Sequence, residues 1–250
     1  MIRSFRLILS ALLGVIAGYA QVQVHFGVDA GVPITDTLPS SSTSTVSGAD
    51  YSLNRFNSVT KRLLIGPSLR LDLPKGLGLE LDAIYQRVNY DSTILSSYPE
   101  IPSFYKSFEA MTANRWQFPL LVQYGRKLAR AKIFVEAGPA ISTIAGNRGT
   151  LTTTSTGITI AVGTAASTTE SSESSSQVTY AGITTGAGVD VPLFHIHLRP
   201  EFRYSHWFSP NSTIGTEVVL GFASVLLGPV SVPSPQISQN EASFLLGLSF

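Results

Sequence analysis

The chain contains no cysteine. Disulfides, thiolate metal sites and a lipid-carrying cysteine are therefore excluded. Charge is scarce as well: 13% of the residues are Asp, Glu, Lys or Arg, about half the share of an ordinary soluble domain. The formal net charge of +1 offers no bulk attraction for nucleic acid. No apolar run beyond the N-terminal segment is long enough for a spanning helix, which needs roughly 20 residues. No phosphate loop, dinucleotide fingerprint or EF-hand spacing occurs.

What is present begins with MIRSFRLILSALLGVIAGYAQ. Arg3 and Arg6 make a basic start, Leu7 to Ile16 a short apolar core, and Gly18 and Ala20 the small residues before a cut ahead of Gln21. This pattern predicts a secretory signal peptide over residues 1–20, with 21–250 as the mature domain. An exported chain with no anchor helix is either soluble or a barrel.

The rest of the chain alternates with period two, the mark of strands with two unlike faces. Eight such segments are predicted: 22–32, 62–73, 77–90, 115–125, 132–141, 178–191, 195–208 and 240–250. The alternation shifts near Arg87, which predicts a bulge there. Short links, PKG, RKLARA and PLF, join the second strand to the third, the fourth to the fifth and the sixth to the seventh. The remaining connections are long, at about 33–61, 91–114, 142–177 and 209–239. An even strand number, with short turns on one rim and long loops on the other, is the pattern of an outer-membrane barrel.

Sidedness follows from chemistry. One face of the strands carries glycine and serine together with charges of both signs, among them Asp29, Arg62, Arg70, Asp72, Glu80, Asp82, Arg115, Lys132, Glu136, Asp190, Arg199, Glu201, Arg203 and Glu241. A narrow lumen needs small residues between large ones, and buried charges must pair. The other face is almost uncharged, as lipid requires. Aromatic residues gather at strand ends: Tyr85, Tyr90, Trp116, Tyr204 and Phe208 at the outer level, Tyr124 and Phe250 at the inner one. These positions predict two interfacial girdles. The fold expected is all-β, an eight-stranded antiparallel up-and-down transmembrane β-barrel. Its lumen network is expected to comprise Glu80, Asp82, Arg115, Glu136, Arg199, Glu201 and Arg203.

The ending FLLGLSF resembles the C-terminal signal read by the outer-membrane assembly machinery, carried by Phe244, Leu246, Leu248 and Phe250. Together with FGVDAGVPITD, RLLIGPSLRLDLPKGLGLELDAIYQR, WQFPLLVQYG, FVEAGPAIS and LRPEFRYSHWF, the chain resembles the bacterial outer-membrane β-barrel domain family, in the style of PorT-like and OmpX/OmpA-like barrels. The resemblance implies an integral protein of a Gram-negative outer membrane, with outer-membrane lipids and the barrel assembly machinery as partners. It implies no single activity. No peptidoglycan-binding domain follows the last strand, so that role of the OmpA group does not carry over.

Other features are weaker. The Ser/Thr-rich stretches SSSTSTVS and TLTTTSTGITIAVGTAASTTESSESSSQ cannot bury a core; they read as solvated loops through which an extracellular ligand can be met. The fourth loop, with TEVVLGFASVLLGPVSV, is oddly apolar. His195 and His197 can bind metal, with Asp72 or Asp190 as third ligand. Histidines in a polar lumen ordinarily join its hydrogen-bond network, so neither metal nor cofactor is expected. His206 with Ser205 or Ser209 does not match a hydrolase triad. RKLARAK reads as a solvated basic turn. The expectation is a non-catalytic structural or surface-interaction protein with a filled lumen. The rivals are a small pore, a lipid-modifying enzyme and a soluble lipocalin-like barrel.

Overall fold

Backbone N–H and C=O groups cannot be left unpaired in hydrocarbon, so a membrane sheet has to close on itself. The computed structural model describes residues 22–47, 50–59, 62–98, 103–156, 165–169, 177–208 and 236–250; the expected signal peptide and most of the fourth loop lie outside them. Among these residues one sheet contains twelve strands. They are β1 (Gln23–Pro33), β2 (Ser41–Ser47), β3 (Asp50–Ser58), β4 (Leu64–Asp72), β5 (Leu77–Asp82), β6 (Ile84–Tyr98), β7 (Ser103–Leu128), β8 (Ala131–Thr156), β9 (Ala165–Thr169), β10 (Val178–Leu193), β11 (Ile196–Trp207) and β12 (Asn240–Ser249).

β5 and β6 follow one another in the same register against β7, so they act as a single stave. The ring then has eight staves, all antiparallel: β1, β4, β5–β6, β7, β8, β10, β11 and β12. It closes where Gly27 to Pro33 of β1 pair with Ser249 to Ser243 of β12. The fold is the predicted eight-stranded antiparallel barrel.

The break between β5 and β6 has a local cause. Ala83 donates to the carbonyl of Pro67 at 3.1 Å, but Pro67 has no N–H to return the bond. The Ala83 carbonyl instead crowds Gly66, where a Cβ would lie 1.9 Å from its oxygen. Only glycine fits that close approach.

The membrane face is apolar. From Tyr124 to Trp116 along β7 the outward residues are Tyr124, Val122, Leu120, Phe118 and Trp116, all exposed. That is roughly 27 Å along the strand, or about 20 Å of height at a tilt near 40°. The same face continues around the ring through Phe26, Val28, Ile65, Leu81, Ile133, Val135, Phe202 and Phe244. Tyr85 packs on Trp116 with ring centroids 5.2 Å apart at the upper limit of the band.

Above this level the polarity rule reverts to that of a water-soluble barrel. Tyr90 is buried, packed on Phe56 at 5.0 Å within an interior cluster that includes Val88, Met111, Tyr180 and Trp207. Tyr90 is thus not a girdle residue. The alternation shift near Arg87 is likewise not a bulge: β6 keeps its register with β7 through Arg87 and Asn114. What changes at that point is the interior, from charged to apolar. The bulge sits on β8 instead, where Thr112 pairs with Arg148 but Asn114 with Ala145, and Gly146 adopts a φ of 69°.

Three of the predicted loops are largely strand. Within 33–61, β2 and β3 form a hairpin that pairs with β6. Within 91–114, β6 and β7 stay paired up to Tyr98 and Ser103. Within 142–177, β8 runs on to Thr156 and pairs with β9. The membrane stave thereby grows into an extramembrane sheet ordered β2, β3, β6, β7, β8, β9. Arg62, placed in the lumen by the sequence pattern, lies before β4, is exposed, and meets Asp36 at 3.7 Å.

Candidate functional site

Inward positions from all eight staves build the interior in layers. The central layer joins β5, β8 and β11. Arg203 contacts Asp82 at 2.5 Å, Glu80 at 2.7 Å and Glu136 at 3.1 Å, and also Glu201. Arg199 contacts Glu136 at 2.7 Å, Glu201 at 3.1 Å, and Glu80. The guanidinium of Arg199 also lies 3.9 Å from the ring centroid of Phe134. All six ionic residues are buried, and Asp29 of β1 is buried beside them. The period-two spacing Arg199, Glu201, Arg203 puts three of these side chains on the same face of β11. Glycines at Gly186 and Gly247 make room: a Cβ there would lie 2.7 Å from Glu136 Oε1 and 2.6 Å from Asp29 Oδ1, respectively.

Arg115, assigned by the sequence to the same network, occupies the next layer outward. Its guanidinium donates to Ser142 at 3.0 Å, Thr37 at 2.9 Å, Gln86 at 3.1 Å and Glu241 at 2.7 Å. It also lies 5.7 Å from the Tyr180 ring and 5.4 Å from that of Trp207. The Trp207 indole donates to Glu241 at 2.9 Å. Arg115 and Glu241 therefore lie against an apolar plug of Leu38, Tyr180, Trp207 and Ile237. Thr37 and Leu38 belong to the segment that leaves β1, and Ile237 to the one that enters β12. Sequence reasoning missed these plug residues, because only their return into the barrel gives them a partner.

The layer nearest the short turns holds Arg70, which meets Asp190 at 3.1 Å and Asp72 at 3.8 Å. Lys132 donates to Asp72 at 2.9 Å. His197 hydrogen-bonds Asp190 at 2.7 Å. The second histidine of this layer is not His195, which sits exposed in the turn before β11, but His25 of β1. The His25 and His197 rings meet edge to face at 5.2 Å, and His25 approaches Asp72 at 3.3 Å. The sequence signal for His25 was its place on the polar face of the first strand; the fold then sets it opposite Arg70 in register.

Two carboxylate groups have the spacing to hold a cation: Asp29, Glu80 and Asp82, and Glu80, Glu136 and Glu201, each with ligand atoms within 4.8 Å of one another. Arg199 and Arg203 already supply positive charge among them, which is the compensation a metal would bring. Ser205 and His206 are consecutive on β11 and so face opposite ways. Ser205 meets Thr184 in the interior at 2.8 Å, and His206 meets Asn240 at 2.8 Å. Ser209 lies outside the described residues. On the outer face Phe244, Leu246, Leu248 and Phe250 are all exposed toward the lipid side at the end of the chain.

A model of the family described as outer membrane protein beta-barrel domain matches residues 19–212. Among solved structures, that of Neisserial surface protein A (NspA) aligns with 92% of this chain and 97% of its own, at 11% identity and a TM-score of 0.35. That of Ail, the attachment invasion locus protein of Yersinia pestis, in complex with the heparin analogue sucrose octasulfate, aligns over 91% and 97%, at 7% identity and a TM-score of 0.36. At this level of similarity neither structure bears on the ligand of this chain. No curated protein matches it significantly.

Proposed function

The chain belongs to the outer membrane protein beta-barrel domain family, and from that premise we propose that it is a non-conducting, non-catalytic outer-membrane protein whose work is done at the cell surface. The observation that carries this reading is the stack of interior layers. Arg70 with Asp190, then Arg199 and Arg203 with their four carboxylates, then Arg115, then the Trp207 plug each fill the bore. An eight-stranded barrel is just wide enough for side chains to fill it, and ion conduction needs a continuous wet path.

The surface role rests on the extramembrane sheet. Six strands rise beyond the girdle, and the sequences of two of them, SSTSTVS of β2 and AASTT of β9, are dominated by Ser and Thr. The exposed Arg55 of β3 and Lys106 of β7 add charge to a sheet otherwise rich in hydroxyl and backbone groups able to meet an extracellular ligand. Outer-membrane lipids cover the apolar band, the assembly machinery reads the Phe250 end, and residues 1–20 serve as the cleaved export signal.

The deciding experiment is planar-bilayer recording on the refolded protein. Silence is expected from the wild type. Discrete current steps in the wild type would replace this reading with that of a small pore.

A further inference from the structure

A cavity of about 790 Å³ opens at the short-turn end of the barrel, between the turn after β4 and the turn after β7. Its lining is cationic, with Lys75, Arg126, Lys127, Arg130 and Lys132. Its two carboxylates are already engaged, Asp72 by Lys132 at 2.9 Å and Asp190 by Arg70 at 3.1 Å. Among the described residues, Lys75, Arg126, Lys127 and Arg130 enter no ion pair. Four uncompensated cations around one concavity form a site for negative charge.

The second observation is where this cavity lies. Lumen-facing Lys132 and lipid-facing Tyr124 both line it, so it crosses the barrel rim. Tyr124 pairs with Leu77 of β5, and both are exposed on the apolar face. Arg126 is the next outward position on β7, one step past the aromatic girdle. An interfacial aromatic followed by a guanidinium matches the depth at which lipid headgroups sit.

We propose that this rim cavity binds the headgroup of an anionic phospholipid in the periplasmic leaflet. Arg126 and Arg130 hold the phosphate, Lys75 and Lys127 add charge, and the acyl chains lie on Leu77, Val122 and Tyr124. A zwitterionic headgroup brings its own ammonium and gains less from four free cations, which gives selectivity. A soluble acidic peptide would satisfy the charge but leave the lipid-facing half of the cavity unused. This inference does not depend on whether the lumen conducts.

The test uses the full-length protein refolded into phosphatidylethanolamine vesicles containing a minority of phosphatidylglycerol, then released into mild detergent. Native mass spectrometry reads the lipid retained. The wild type is expected to retain phosphatidylglycerol in preference to phosphatidylethanolamine. Removing two cations, as Arg126→Ala with Arg130→Ala, should lower that preference by roughly 25-fold, about fivefold per cation. Arg126→Lys with Arg130→Lys should keep most of it, and Arg87→Ala at the opposite end should change nothing. Heat-modifiable gel mobility checks folding, and the wild-type preference and the lysine variant decide the matter even if the alanine variant does not fold. Equal retention of the two lipids by the wild type, or an unchanged preference in a folded alanine variant, overturns the proposal. So does displacement of the lipid by glycerol phosphate or a poly-glutamate peptide at comparable concentration, which would reassign the site to a soluble anion.

Discussion

Replacing Arg203 by Met tests the interior most directly. The side chain is buried and faces four carboxylates, Glu80, Asp82, Glu136 and Glu201. The central layer as a whole contains five carboxyls, counting Asp29, against the two guanidinium groups of Arg199 and Arg203. After Arg203→Met, Glu80, Glu136 and Glu201 keep Arg199. Asp82 keeps no cationic partner among the described residues, since its one ion pair is with Arg203. Breaking a buried pair from one side costs about 3–5 kcal/mol, because the remaining charge has lost both water and its partner. Met restores most of the volume, so little of that loss is cavity. Adding Asp82→Asn removes the orphaned charge and should recover a substantial part, with a coupling energy of about 1–3 kcal/mol in the double-mutant cycle. Arg203→Lys should fall between, since an ammonium is a point charge and cannot reproduce the planar fork. The assay is urea unfolding of protein refolded in vesicles, followed by the fluorescence of Trp116 and Trp207. A folded Arg203→Met variant within about 0.5 kcal/mol of the wild type, or additivity with Asp82→Asn, would refute the reasoning.

Two further outcomes are expected. Gly66→Ala places a methyl 1.9 Å from the Ala83 carbonyl, so the strands must part there. A loss of about 1–3 kcal/mol in the same unfolding assay is expected, and an unchanged midpoint would show that Ala83 relaxes freely. The absence of native cysteine gives a clean background for sidedness. A cysteine at exposed Val46 should react with an impermeant maleimide on intact cells, whereas one at exposed Phe194 should react only after the outer membrane is permeabilised; the reverse pattern would invert the barrel.

Composition and period fixed the staves that cross lipid, because there the two faces differ in the extreme. Leu198 against Arg199 and Phe202 against Arg203 leave no ambiguity about which side meets hydrocarbon. The pattern faded where the chain rises into water on both sides. In SSTSTVS of β2 and GTLTTTST in β8 neither face needs to be apolar, so period two carries no contrast and strand reads as loop. Tyr90 was misplaced for a related reason: above the girdle the apolar face turns inward, and one continuous alternation along β6 changes meaning without changing phase.

The sequence by itself determined that this is a barrel, how many staves it has, and that charge lies inside it. Alternation, turn length and the cost of charge in lipid are local or compositional quantities. Only the tertiary structure decided which charges meet. Arg115 reaches Glu241 across 126 positions, His25 rather than His195 joins His197, and Thr37 and Leu38 fold back into the interior. Those pairings depend on stave register and ring closure, which bring distant residues to the same height, and no spacing within a single strand contains that information.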